Sequence, residues 1–171
     1  MDSVQLIKRI TGYRVQSILL ENVFSEKYQN YIVTCNGEER GSQNAQINVQ
    51  LIDVNNNVIT QGEYDSTALQ MKSYATPFDE LKYLDNTSFK ITMYARQNFG
   101  GFQMFIYDPF NANVNTSVTS MSTGNYANNM INIPLGAYHD ESERATGVKL
   151  GFTGNQCDME GAVYGILWVM E

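Results

Sequence analysis

Charged residues are scarce in this sequence, and the basic ones are the scarcer kind. Only 17% of its 171 residues are charged, and 18 acidic against 11 basic residues give a net charge of −7. A groove that follows nucleic-acid phosphates needs a surplus of Lys and Arg. We therefore expect no nucleic acid among the partners of this chain.

Long apolar runs and targeting signals are also missing. No stretch approaches the roughly 18 apolar residues of a membrane-spanning helix. Residues 1–8 lack the basic start and the apolar run that mark a signal peptide. These absences predict that the chain contacts no membrane and stays in the cytoplasm, or in an assembly formed there.

Cysteine is rare, with two residues in the whole chain. Cys35 and Cys157 lie far apart and match neither a CxxC motif nor the ligand spacing of a zinc site. We interpret them as buried thiols. A disulfide between them stays open, because it depends on a Cα separation of about 4.4–6.8 Å that sequence does not give.

The single histidine, His139, stands in an acidic stretch. Asp140 and Glu141 follow it directly and Glu143 is close by. A histidine beside carboxylates can form a metal site or an oriented general base. The local sequence supplies neither enough ligands nor a nucleophile, and the segment after Gly136 has the composition of an exposed loop. We therefore interpret His139 as part of a solvated loop.

Motifs for cofactors and metals are incomplete or absent. Asp53, Asn55 and Asn57 have the spacing that opens a calcium loop, but Val58 and Tyr64 stand where that loop needs Gly and Glu. We predict a turn there. No Gly-rich phosphate-binding motif occurs, and no carboxylate pair stands out for glycoside cleavage. We expect no catalytic residue, no cofactor and no metal, and thus a chain that is not an enzyme.

What the sequence does contain is the alternation of β-strands. The segment Gln46–Asp53 alternates apolar and polar residues, and residues 58–64 are predicted to return from it as a hairpin. Residues 88–96 and 102–108 are predicted to pair as a second hairpin. Further strands are expected at residues 13–20, 28–35, 115–121, 146–152 and 162–170.

Helix signals are weak by comparison. Thr76-Pro77 can cap a short helix, and residues 67–73 can form another. Eight or nine strands without βαβ alternation predict one domain over residues 1–171. Its expected class is all-β: an antiparallel β-sandwich, jelly-roll-like, with one or two short helices.

Aromatic residues are the best candidates for contacts with a ligand. The chain has 11 Tyr and 8 Phe, most of which we expect in the core or in cross-strand pairs. The Asn-rich residues 111–132 are predicted to form a long loop, where contacts tend to lie. The candidates for contacts with a protein partner or a glycan are Tyr107, Phe110, Tyr126 and Tyr138.

Several short motifs follow one another in a familiar order. They are Gly12-Tyr13, Asn22-Val23-Phe24-Ser25, Tyr28-Gln29-Asn30-Tyr31-Ile32, Tyr107-Asp108-Pro109, Ala137-Tyr138-His139 and Thr146-Gly147-Val148, before a closing strand that contains Gly165. This order resembles a family of tailed-bacteriophage virion structural proteins, small β-sandwich proteins of heads, tails and fibres.

The resemblance implies a non-enzymatic part of a virion, assembled in the host cytoplasm. It implies a capsid decoration (cement) protein or a tail or baseplate accessory protein. Other virion proteins, capsid or tail subunits, would be its partners, and a homo-oligomer, with a trimer favoured, its state. The alternative is a receptor-binding or carbohydrate-binding module of a tail fibre, and a third possibility is a sandwich-fold glycan hydrolase.

Overall fold

All regular structure in the described part of the chain is β-strand. The computed structural model describes residues 3–39, 46–73, 75–91, 100–126, 129–154 and 156–167, and none of these forms a helix able to cross a membrane. The strands are β1 (Ser3–Val15), β2 (Ser17–Leu20), β3 (Asn30–Glu39), β4 (Gln46–Asp53), β5 (Tyr64–Lys72), β6 (Ala75–Asn86), β7 (Phe89–Ile91), β8 (Gly100–Tyr107), β9 (Ser117–Tyr126), β10 (Asn129–His139), β11 (Ala145–Thr153) and β12 (Cys157–Leu167).

The strands form two sheets. The large sheet has eight strands in the order β1-β12-β3-β8-β9-β10-β5-β6, and the small sheet has four in the order β2-β11-β4-β7. Neighbouring strands are antiparallel in both sheets. The predicted antiparallel, jelly-roll-like β-sandwich is therefore confirmed.

The core lies between the two sheets and follows the alternation of the strands. Ile47, Val49 and Leu51 of β4 are fully buried, as the period-2 pattern predicts. They belong to the same core cluster as Val33 of β3 and Met104 of β8 in the large sheet. Burying each such aliphatic side chain contributes about 1.5–3 kcal/mol, so the alternation of these strands drives the two sheets together.

The two predicted helices are wrong. Residues 67–73 fall largely in β5, and the segment beginning at Thr76-Pro77 falls in β6. The strands pair with each other, with Thr67 opposite Lys82. β6 is an edge strand of the large sheet, and an edge strand accommodates a proline because its free side needs no N–H donor. Pairing with β5 therefore outweighs the local helix signal.

The first predicted hairpin forms only next to its turn, and the second is wrong. Val58 and Ile59 return towards β4, in an isolated bridge from Val58 to Ile52 and a hydrogen bond from the Ile59 N–H to the Leu51 carbonyl, and the next strand begins at Tyr64. β7 pairs with β4 in the small sheet, whereas β8 pairs with β3 and β9 in the large one. The chain thus changes sheets between β7 and β8, and the predicted turn at Asn98 lies outside the described residues.

The Asn-rich segment is not a long loop. Residues 111–132 contain all of β9 and the start of β10, which pair along their length. Their inward residues include the buried Val118 and Ile131. The opposite side carries Ser and Thr together with the exposed Met121 and Met130, and the small polar residues give the segment the composition of a loop.

Cys35 and Cys157 are buried thiols that form no disulfide with each other. They lie on the neighbouring strands β3 and β12, where Cys35 is opposite Gly161. Burial raises the pKa of Cys35 to about 12, with the nearby Cys157 adding to the effect. The Cys35 thiol therefore stays protonated at neutral pH and is a poor nucleophile.

Candidate functional site

An uncharged surface covers the middle of the large sheet. The neighbouring strands β8, β9 and β10 contain no Asp, Glu, Lys or Arg. We call the side of these strands that points away from the small sheet the outer face. Its residues, on the alternation of the three strands, are Gln103, Phe105, Tyr107, Ser117, Thr119, Met121, Thr123, Met130, Asn132, Pro134, Gly136 and Tyr138.

Two aromatic rings of β8 lie side by side on the outer face. Phe105 and Tyr107 are two residues apart, so both project to the same side of the strand. Their rings are nearly parallel, with 14° between the planes and 6.5 Å between the centroids. The Tyr107 hydroxyl lies 3.2 Å from Oγ1 of Thr119. The pair thus offers an apolar surface with a hydroxyl group at its side.

A second tyrosine stands across the sheet from this pair. Ser117 of β9 is opposite Tyr107 on one side and opposite Tyr138 of β10 on the other. Two strand spacings, about 10 Å, therefore separate the two tyrosines. The Tyr138 hydroxyl donates a hydrogen bond to Oδ2 of Asp65 at 3.0 Å. That hydrogen bond and the charge of Asp65 raise the pKa of Tyr138.

Open space separates the aromatic residues. Gly136 lies opposite Thr119, and a Cβ atom added at Gly136 would have no heavy atom within 4 Å. A depression of about 310 Å³ adjoins this row, lined by Gln103, Phe105, Thr119, Ser120 and Met121. The outer face is therefore a shallow surface on which aromatic, polar and methionine side chains surround an uncovered centre.

The structure places two of the four aromatic candidates on one surface. Tyr107 and Tyr138 share the outer face. Phe110 instead lines a separate cavity of about 300 Å³, where the Arg144 guanidinium lies 4.6 Å from the centre of its ring. The side chain of Tyr126 lies outside what the structure describes.

A second region has the opposite character. We call it the acidic pocket: a cavity of about 570 Å³ whose lining includes Asp53, Glu63, Glu141 and Glu143. Nε2 of His139 lies 3.3 Å from Oε2 of Glu63 and 3.7 Å from Oε1 of Glu143. The three side chains thus converge beside the cavity.

The interpretation of His139 as part of a solvated loop is wrong. His139 is the last residue of β10 and is 0% exposed. Its backbone N–H donates to the carbonyl of Thr116 at 2.8 Å, and its ring contacts that of Tyr64 with 4.7 Å between centroids. The strand continues through His139, and the alternation from Ala137 turns its side chain inward.

The carboxylates of the acidic pocket have different surroundings. Burial raises the pKa of Glu143, and the charges of Glu63 and Asp53 add to this, whereas His139 opposes it. Burial also acts to raise the pKa of Asp53, but hydrogen bonds from Asn57 and Asn55 outweigh it and the pKa is lowered. Those bonds close the turn predicted after β4.

Sequence inspection missed Glu63 as a neighbour of His139. The two residues are far apart in the chain and meet because β5 pairs with β10, with Tyr64 opposite His139. The backbone N–H of Asp140 also donates to the carbonyl of Glu63 at 2.7 Å. The available signal was Glu143, four residues after His139, which identified one of the two carboxylates.

No family model and no curated protein matches this chain. Among solved structures it is similar to the alginate lyase Aly36B, with 10% identity, TM-score 0.40, and coverage of 94% of this chain and 80% of that one. It is also similar to the PL-14 alginate lyase from Aplysia kurodai, with 9% identity, TM-score 0.38, and coverage of 88% and 74%. A third is the CBM2 module of the evolved Dit of Lactobacillus casei BL23 phage J-1, with 8% identity, TM-score 0.29, and coverage of 91% and 70%.

These structures correct one expectation from the sequence. The prediction that the chain is not an enzyme is contradicted, because several of the solved structures to which it is similar are alginate lyases. At these identities and TM-scores, the similarity transfers no substrate and no reaction to this chain.

Proposed function

We propose that this chain binds a neutral polysaccharide on its outer face. The observation that carries the proposal is the parallel pair of Phe105 and Tyr107 beside an uncovered, uncharged surface. Pyranose rings have apolar C–H faces that pack on flat aromatic side chains, and their hydroxyl groups need hydrogen-bond partners at the edge.

Polar groups around the aromatic pair suit such a ligand. Gln103, Thr119 and Tyr138 carry amide and hydroxyl groups that both donate and accept hydrogen bonds, as sugar hydroxyls do. The strands β8, β9 and β10 contain no Lys or Arg to attract a carboxylate or sulfate group. This favours a neutral polysaccharide over an anionic one.

Gly136 allows a direct test. A Cβ atom added at this position meets no heavy atom within 4 Å, and the rest of a leucine side chain would extend over the outer face. We expect Gly136→Leu to weaken binding to soluble neutral hexose polysaccharides at least about tenfold, measured by affinity electrophoresis with alginate as the anionic comparison. The affected contacts are central, where single substitutions have their largest effect.

Gly151→Leu is the matched control. Gly151 lies in β11 of the small sheet, where an added Cβ makes only ordinary contacts of 3.8–3.9 Å. This variant should bind like the unmodified protein. Equal losses in both variants, or undiminished binding by Gly136→Leu, would contradict the proposal. Assaying the same incubations for shortened chains tests whether binding is accompanied by cleavage.

The biological setting remains the one that the sequence resemblance suggests. We propose a tailed-phage virion component that recognises a host surface polysaccharide and assembles with other virion proteins as a homo-oligomer. The order of the short motifs along the chain supports this setting. Light scattering at several concentrations tests it: a trimer or larger closed ring would support it, and a monomer that binds no phage particles would count against it.

A further inference from the structure

The hydrogen bonds of His139 determine how its ring is oriented. Nδ1 lies 3.1 Å from the backbone carbonyl oxygen of Glu141. A carbonyl oxygen only accepts hydrogen bonds, so Nδ1 must carry the hydrogen. Nε2 is therefore the nitrogen directed at Glu63 and Glu143.

Nε2 of His139 is buried and has no hydrogen-bond partner among the residues that the structure describes. In a neutral ring, Nε2 would direct its lone pair at two carboxylates, which is unfavourable unless a cation lies between them. The rival state is an imidazolium ring paired with Glu63 and Glu143. The cluster therefore needs positive charge, supplied by a proton or by a metal ion.

We propose that His139, Glu63 and Glu143 bind a divalent cation of the zinc type. Their ligand atoms all lie within 4.8 Å of one another. Tetrahedral ligands at 2.0–2.2 Å from zinc are roughly 3.4 Å apart, close to the separations of 3.3 Å and 3.7 Å between Nε2 and the two carboxylates. Small side-chain movements would complete the site.

The ligand set selects the kind of metal. Calcium and magnesium prefer oxygen ligands alone, whereas an imidazole with two carboxylates suits zinc and its transition-metal neighbours. The bond from Nδ1 to the Glu141 carbonyl is the outer contact that typically orients a metal-binding histidine. Three protein ligands leave a fourth position for water or another ligand.

The site would join three separate parts of the chain. Glu63 directly precedes β5, His139 ends β10, and Glu143 lies shortly before β11. A metal bound only by the folded arrangement stabilises it by mass action. At a hundredfold excess of zinc over its dissociation constant, we expect the melting temperature to rise by about 5–10 °C, and equal concentrations of calcium or magnesium should have little effect.

His139 also provides an unambiguous signal, because it is the only histidine in the sequence. NMR of tag-free protein labelled at histidine should show one imidazole, and one equivalent of zinc should shift its Nε2 resonance. Glu143→Gln removes one ligand, and we expect it to weaken zinc binding at least about tenfold in calorimetric titrations. Glu63→Gln should act in the same way.

Glu141→Gln is the matched control. It removes the same charge from the acidic pocket, but Glu141 contacts His139 through its backbone carbonyl, which the substitution retains. Its zinc affinity should change by no more than about threefold. The proposal is overturned if Glu141→Gln weakens binding as much as Glu143→Gln does, or if stoichiometric zinc leaves Nε2 unshifted or protonated. None of these outcomes depends on polysaccharide binding by the outer face.

Discussion

The outer face and the acidic pocket are built in opposite ways. The outer face takes its side chains from the middle of three paired strands, is uncharged, and borders on open space. The acidic pocket takes its side chains from a strand end and two connections, and it surrounds a buried imidazole with carboxylates. Sheet register alone creates the first, whereas the second needs distant segments to meet. The outer face should therefore tolerate substitutions that the pocket does not.

The largest difference should appear in stability, through Tyr64. Its hydroxyl accepts a hydrogen bond from the Leu51 N–H at 3.0 Å and donates one to the Ile59 carbonyl at 3.1 Å, both buried. Its ring contacts His139. Because Tyr64→Phe leaves a buried donor and a buried acceptor unpaired, we expect a loss of about 1–3 kcal/mol in the free energy of unfolding, measured by urea denaturation.

Tyr138→Phe is the comparison from the outer face. It also removes one tyrosine hydroxyl, but Tyr138 is 42% exposed and its hydrogen bond to Asp65 lies at the surface. Water replaces that bond, so the free energy of unfolding should change by less than about 0.5 kcal/mol. Equal losses in Tyr138→Phe and Tyr64→Phe would remove the contrast between the two regions.

For ligand binding, substitutions on the outer face should have the larger effect. Phe105→Ala and Tyr107→Ala each remove one of the two parallel rings, and each should weaken polysaccharide binding by about 1–2 kcal/mol, or roughly 5–30-fold. Phe110→Ala removes an aromatic ring from a separate cavity and should leave binding unchanged. Calorimetric titration of the three variants with polysaccharide measures these affinities. A loss of affinity in Phe110→Ala alone would place the binding site at the cavity of Phe110 and not on the outer face.

Much of the sandwich could be predicted from alternation, because one face of each strand is buried. Ile47, Val49 and Leu51 alternate with polar residues, and all three are buried in β4. Only the first half of β9 was predicted, within residues 115–121, because the Ser, Thr, Gly and Asn residues of its second half are also typical of loops. The outer side of β9 combines Ser and Thr with the exposed Met121, and its core side includes Ser120 and Ser122, so its period-2 signal is weak.

The candidate sites also contain parts that could be predicted from the sequence and parts that could not. Tyr107 and Tyr138 could be selected from the sequence as candidate contacts because they are aromatic residues with a polar hydroxyl group. That they flank Ser117 in one row follows only from the order β8-β9-β10. Glu63 and His139 meet through the pairing of β5 with β10, and no local pattern encodes such long-range pairing.

The smallest expected effect is on the pH dependence of stability, which should differ between two carboxylates of the acidic pocket, Glu143 and Asp53. The pKa of Glu143 is raised, mainly by burial, so the folded state binds its proton more tightly than the unfolded state does. Stability from this group is present below the ordinary glutamate pKa of about 4.3 and is lost as pH rises through the folded value. In metal-free buffer, Glu143→Gln should therefore gain melting temperature relative to the unmodified protein between about pH 4 and pH 7.

Asp53 should behave in the opposite way. Hydrogen bonds from Asn57 and Asn55 outweigh burial and lower its pKa, so its contribution is present above the ordinary aspartate pKa of about 3.9 and is lost as pH falls through the folded value. Asp53→Asn should lose melting temperature at pH 7 and approach the unmodified protein near pH 3. Both shifts should stay within about 3 °C, because both groups are partly exposed. Parallel pH profiles for the two variants would mean that the net charge of the pocket, rather than the separate surroundings of each carboxylate, controls its stability.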